Sequence, residues 1–267
     1  MSDSDTLCGW GNEEKVAYFL ANADIIVPRR AEQLNLLIQL LPYSRDATIS
    51  VLDLGAGFGA ITQQILKHYP NAMATCVDGS AVMVAHATAR LRKYGERVHI
   101  LTADLSERSW IEVLHSATPT MEPGRDKAEL FNVVVSAIAI HHLTHERKRQ
   151  LCREVFQLLA PNGVFLNNDV VATPSAFKSR FEELNLAAIQ EQESQLRGKA
   201  RAREEIESEM RERLRLAGER HQSHIASLAD QLAWLTEAGF ESVDCYWRYL
   251  DLAIFGGIKE PQPPTTA

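Results

Sequence analysis

Apolar and polar residues alternate in blocks along most of this chain. Apolar runs of strand length fall at about residues 49–54, 73–78, 97–101, 130–135 and 163–169, with stretches of helical period between them. The β-branched runs Val133-Val134-Val135 and Val170-Val171 favour extended backbone. This alternation predicts an α/β fold, a doubly wound parallel sheet. Ahead of it, Asn12 to Ala21 and Pro28 to Leu41 read as helices, Pro28 being suited to a first helical position. Thr144 to Leu159 reads as a helix that begins on a capping residue and stops at Pro161-Asn162-Gly163.

From Ser175 to His224 turn signals nearly vanish and charge is dense. Two long amphipathic helices broken near Gly198 are predicted, with Phe177, Phe181, Leu184 and Ala188 on one apolar face and Ile206, Met210 and Leu214 on another. Those faces need a partner: the sheet domain, a second copy of the chain, or a substrate site over which the insertion forms a lid. The run Arg197-Gly198-Lys199-Ala200-Arg201-Ala202-Arg203 is basic, but acids follow at once, so salt links on a solvated helix are expected. A helix from Ser227 to Ala238, capped by Gly239, precedes two strands, Ser242 to Tyr249 and Leu252 to Ile258, close enough for a tight antiparallel hairpin. Trp247 and Tyr249 share one strand face and are read as core packing.

The first strand runs into Asp53-Leu54-Gly55-Ala56-Gly57-Phe58-Gly59 and then a helix. Glycines at every second position let the main chain turn sharply and approach a ligand closely. The spacing differs from Gly-x-Gly-x-x-Gly, the dinucleotide pattern. A second acid, Asp78, ends the next strand about twenty residues on, where a carboxylate accepts both hydroxyls of a ribose. Its competing role is a helix N-cap, which Ser80 fills better. A third acid, Asp104, follows the third strand. Its competing role is to cap its own loop.

Composition narrows the class further. The 267 residues suffice for one large domain or a domain with an insertion, and 28 basic against 35 acidic side chains give a net charge of -7. That charge disfavours broad binding to nucleic acid. No apolar stretch reaches membrane-spanning length and the first residues lack signal-peptide character, so a cytoplasmic location is expected. Cys8, Cys76, Cys152 and Cys245 are scattered and read as reduced thiols.

The glycine turn with its flanking acids resembles motif I of the class I S-adenosylmethionine (SAM)-dependent methyltransferases, and the resemblance extends over about residues 12–260. It implies a Rossmann-like, seven-stranded sheet with the last strand antiparallel. It also implies a helical cofactor cap over 1–45, a SAM-binding domain over 46–174 and 225–260, and a helical insertion over 175–224 that serves as lid or dimer interface. SAM is the implied cofactor and S-adenosylhomocysteine its product; Asp53, Gly55, Ala56, Gly57, Gly59, Asp78, Gly79, Ser80, Met83, Asp104, Leu105, Ser136, Ala137 and His142 are the implied cofactor contacts. Arg30, preferred over Arg29, is the implied partner of the cofactor carboxylate. The insertion and the last strands are similar to the carboxy-SAM synthases. Those enzymes carry a basic-Gly-Tyr-Ser stretch in the insertion, however, and none occurs between Leu184 and Arg220.

Methyl transfer from a sulfonium needs a base only when the nucleophile arrives protonated, and histidine suits that task. His141 is the candidate base, its alternative being a pocket wall or a hydrogen-bonded structural residue; His142 is read as a pocket wall and Asp169 as a further pocket candidate. His141 and His145 are four apart, but without the Glu of a His-Glu-x-x-His motif no metal site is expected. The resulting expectation is methyl transfer to a small-molecule nucleophile. A tRNA-modifying enzyme or a non-catalytic SAM-binding scaffold are the alternatives.

Overall fold

In the computed structural model residues 9–117 and 131–261 are described. Seven strands form one sheet: β1 (Ser50–Leu54), β2 (Met73–Asp78), β3 (Val98–Thr102), β4 (Phe131–Ala137), β5 (Leu159–Val170), β6 (Glu241–Tyr249) and β7 (Leu252–Ile258). Their order is β3-β2-β1-β4-β5-β7-β6, and β7 runs antiparallel to both neighbours while β1 to β5 are mutually parallel. The order reverses beside β1, which opens a crevice at the carboxyl ends of β1 and β4. Strand period separates two cores: Leu52 and Leu54 join Trp110, Phe131 and Phe240 on one face, and Val51 joins Leu37, Ile65 and Tyr69 on the other.

Helices α1 (Glu13–Ile26) and α2 (Arg30–Gln39) precede the sheet, with Asn12 capping the Lys15 amide. The first runs past the expected end at Ala21. Pro28 is not the first helical residue: it lies in the turn before α2, where Arg29 adopts a left-handed φ of 57°. Helices α3 (Ala60–His68), α4 (Ala81–Leu91), α5 (Trp110–Ala117) and α6 (His145–Leu158) make the crossovers. Ser80 and Thr144 cap α4 and α6 through their hydroxyls, as the sequence leads one to expect. The helix stops where expected, α6 ending at Leu158, and Pro161-Asn162-Gly163 itself forms a bulge, since β5 pairs from Leu159 and again from Val164, with Asn162 left-handed between.

The insertion forms α7 (Lys178–Arg197) and α8 (Arg203–His224), and α9 (Leu228–Ala238) follows. The expected apolar face of α7 is not its buried one. Leu186, Ile189 and Glu193 are buried, the first two packing with Ile25 of α1 and Ile206 of α8, whereas Phe177 and Leu184 are exposed. Periodicity missed this because a buried carboxylate lies on the buried face: Glu193 accepts from Arg197 and from both the amide and the guanidinium of Arg201. The basic run thus folds back on Glu193 and Glu209. The Leu214 side chain lies outside the described residues, as does Cys8. Among the described residues no helix is long and apolar enough to cross a membrane.

The helix after the glycine turn is pinned by a buried polar cluster. Thr62 of α3 donates to Asp53 of β1 at 2.6 Å and lies 3.2 Å from the Cys76 sulfur of β2, all three side chains being buried. Asp53 therefore presents no carboxylate to a ligand, and the expected direct cofactor contact becomes an anchor for the turn. Burial pushes its carboxyl up to about 7, against the Thr62 bond, with Asp78 adding repulsion. In the unfolded chain it ionises near the ordinary value of about 4. Between those values the folded state holds the extra proton, so stability falls as pH rises, with the full penalty present above about 7. Asp53→Asn is expected to gain roughly 2 to 3 kcal/mol relative to the parent between pH 5 and pH 8, as read by denaturant unfolding. An identical difference at both pH values would contradict this.

Candidate active site

The carboxyl ends of β1 to β4 gather most of the residues picked out in the sequence. Gly55, Gly57 and Gly59 all have positive φ, at 63°, 54° and 74°. A Cβ on Gly55 would stand 2.3 Å from that of Ala139, and one on Gly59 would stand 2.7 Å from Leu91 of α4, so these two positions exclude side chains. Above Gly57 the space is open, the nearest atom to such a Cβ being the Met83 sulfur at 4.0 Å. Helix α3 begins immediately afterwards with no capping side chain. Its first amides and dipole face the turn.

Asp78 sits beside this cradle. Its two oxygens accept the Gly57 amide at 2.7 Å and the Ser80 amide at 2.8 Å. A carboxylate has about four acceptor positions, so capacity for two hydroxyl donors remains. Burial raises the carboxyl above its ordinary value, opposed by those two amides. Ser80 caps Met83, which is buried against Val16 and Phe58. One strand further out, Asp104 accepts the Ser106 amide at 2.8 Å, the loop-capping role, while the Leu105 carbonyl accepts from Arg147 at 2.7 Å. Arg147 is itself locked in a buried pair with Glu154, which also accepts the Trp110 indole N–H. This network fixes the loop after β3 and had no signal in sequence.

Arg30 ion-pairs with Asp24 at 2.7 Å and places its guanidinium 5.4 Å from the ring of Phe58, the residue between the second and third glycines of the turn. Arg29 covers the ring of Tyr249 at 4.4 Å and Trp247 donates to Glu32 at 2.8 Å, so the two aromatics of β6 meet the N-terminal cap. Trp10 is a residue the sequence reading missed. Its indole N–H donates to His142 at 3.1 Å and its carbonyl accepts from Ser80 at 2.6 Å. The segment therefore bridges the ends of β2 and β4, on either side of β1.

After β4, Ala137 leads into Ile138, a β-branched residue at φ 56° whose amide donates to the Asn168 carbonyl. Such a conformation is strained and held by its surroundings. Ser136 is fully buried with its hydroxyl on the Leu54 carbonyl, so it joins β4 to β1 instead of facing a cofactor. His141 is buried; its Nδ1 lies 2.6 Å from one oxygen of Asp169, and its amide donates to the other at 2.8 Å. Asp169, at the end of β5, also accepts the Val170 amide at 2.9 Å. This pairing assigns the proton to Nδ1 and the lone pair to Nε2, the arrangement of a general base oriented by a carboxylate. Among the described residues no group of three or more His, Cys, Asp or Glu side chains is placed to hold a metal.

The sheet order, the glycine turn and the acid at the end of β2 define a Rossmann-like nucleoside-binding fold of the methyltransferase kind. Residues 51–163 match the family described as a methyltransferase domain. The chain is 30% identical over 120 residues to a release factor glutamine methyltransferase of Bordetella pertussis, covering 45% of this chain and 40% of that protein. It is 22% identical over 162 residues to a carboxy-S-adenosyl-L-methionine synthase of Nautilia profundicola, covering 61% of this chain and 62% of the other. The chain thus spans less than two thirds of the length of either relative. A phosphoethanolamine N-methyltransferase 2 of Haemonchus contortus, solved with phosphomonomethylethanolamine and S-adenosylhomocysteine, superposes with a TM-score of 0.62 at 13% identity, over 98% of this chain and 61% of that one. Residues 51–163 thus resemble a methyltransferase domain, and the fold is shared with proteins solved with S-adenosylmethionine or S-adenosylhomocysteine as cofactor.

The residues present fit that cofactor: an open cradle over Gly57, a carboxylate with spare acceptor capacity, and an uncapped helix start. Asp78→Ala is expected to weaken SAM binding by roughly 2 to 3 kcal/mol in calorimetry, because it removes a charge-assisted acceptor. Unchanged affinity would take Asp78 out of the site.

Proposed function

We propose that this protein transfers the methyl group of SAM to a small-molecule nucleophile, with His141 as the base that takes up its proton. The observation that carries this reading is the buried His141–Asp169 pair, which joins the loop after β4, the strand beside β1, to the end of β5 and whose loop is tied to the end of the helical insertion. The cofactor supplies an electrophilic methyl carbon on a sulfonium, leaving as S-adenosylhomocysteine. The protein's work is to hold the nucleophile in line and exclude water, and positioning of that kind contributes roughly 7 to 11 kcal/mol. Asp169 holds the His141 ring and stabilises the imidazolium once the proton arrives at Nε2. Arg30, beside Phe58, is assigned to the cofactor carboxylate, and Asp78 to the ribose.

The cap and the insertion support a closed, small-molecule site. Tyr18 of α1 bonds Glu209 of α8, Arg197 of α7 donates to Asn22 of α1 at 2.7 Å, and Gln192 accepts the Arg29 amide at 3.1 Å. These contacts join the N-terminal helices to the insertion, which supports their acting together as a lid. A net charge of -7 further supports a small acceptor over a nucleic acid.

Incubation of the protein with methyl-labelled SAM and separated fractions of a cell extract is expected to place label in the small-molecule fraction. Label in RNA would shift the acceptor to the tRNA-modification reading, and no label in any fraction would favour a scaffold. With the acceptor isolated, His141→Asn is expected to lower kcat by about 10² to 10⁴ while the SAM affinity holds. An unaltered kcat would remove the base from the mechanism. Asp169→Asn is expected to act in the same direction, since an amide no longer selects the Nδ1–H tautomer.

A further inference from the structure

One buried ammonium joins the end of the insertion to the histidine loop. Lys148, in the first turn of α6, is 2% exposed. Its Nζ donates to the carbonyls of Leu143 at 2.8 Å, His141 at 3.3 Å and His224. His224 is the last residue of α8, and its Nδ1 donates back to the His142 carbonyl at 2.9 Å. Among the described residues the insertion is thus stitched twice to the loop that carries the base.

An ammonium has three donors, and here three carbonyls take them. Two of those acceptors belong to the histidine loop and the third to the insertion. If α8 lifts, the His224 carbonyl leaves and a buried charge loses a hydrogen bond, a loss that is costly away from water. Among the described residues the charge has little else to rest on. Asp169 of β5 acts on it through space, the loop presents His141 and His142, α8 presents His224, and α9 presents the neutral Gln231 and Trp234 around the same small cavity. Closure of the insertion and the set of the loop are therefore energetically linked.

We propose that Lys148 is a positioning residue that makes alignment of the His141–Asp169 pair conditional on closure of the helical insertion. The proposal rests on His141 being the base, but its structural half stands apart from any activity. It gives a reason for a lysine where a methionine would fill the same space: the enzyme sets its base only with the lid down, when water is shut out.

The test uses the full chain with SAM bound, comparing Lys148→Met, which keeps the stem and removes the donors, with His224→Ala, which removes only the contact to the His142 carbonyl. Hydrogen exchange over residues 203–224 is expected to quicken about tenfold or more in Lys148→Met while amides of β1 and β4 keep their rates. Nitrogen-15 spectra of labelled histidine are expected to show the single-tautomer pattern of His141 lost, and calorimetry to show SAM affinity changed by less than about threefold. Unchanged exchange in α8, or a freed α8 with the His141 pattern intact, would overturn the coupling. Should Lys148→Met loosen every element together, His224→Ala decides: faster exchange confined to α8 with the His141 single-tautomer pattern lost supports the coupling, and faster α8 exchange with that pattern intact, or no change in either, defeats it. Absence of methyl transfer by the parent protein would remove the base from the argument yet leave the exchange and tautomer readouts standing, so the two failures are distinct.

Discussion

The left-handed turn at Gly55, Gly57 and Gly59 is the constraint from which the rest of the site follows. Strand order reverses beside β1, so the chain must leave β1, turn at once and enter α3 without filling the crevice that the reversal creates. Two of the three glycines are also packing requirements, Gly55 against Ala139 and Gly59 against Leu91. The turn thereby sets how close the β4 loop and α4 can come. Its anchor is the bond from Thr62 to Asp53, a buried carboxylate that costs stability when ionised and holds α3 in place.

A second carboxylate organises the acceptor side. Asp169 takes the His141 ring, the His141 amide and the Val170 amide, which leaves the loop after β4 one arrangement. Ile138 at positive φ shows that this loop is held under strain. Lys148 and His224 tie it to the insertion, while Trp10 ties it to the N-terminal cap through His142. Cap, insertion and loop share one polar framework over the sheet's carboxyl edge.

Much of this was legible in the sequence because it obeys local rules. Strand period placed all seven strands within a few residues, and the hydroxyls of Ser80 and Thr144 marked helix starts. What escaped reading depends on pairing across distance. Glu193 makes the buried face of α7 look polar, so apolar spacing alone points to Phe177 and Leu184 as the inner face. Asp53 and Ser136 read as ligand contacts from their motif, yet their side chains turn inward to Thr62 and the Leu54 carbonyl. Trp10, Arg147 and Lys148 carry no motif at all, because their partners lie 132, 42 and 76 residues away.

The cradle over Gly57, flanked by Asp78, has the open space and the acceptors that SAM requires. Titration of the purified chain with SAM and, separately, with NAD tests it most directly. Saturable one-to-one binding of SAM and no heat from NAD are expected. Binding of NAD with none of SAM would contradict it.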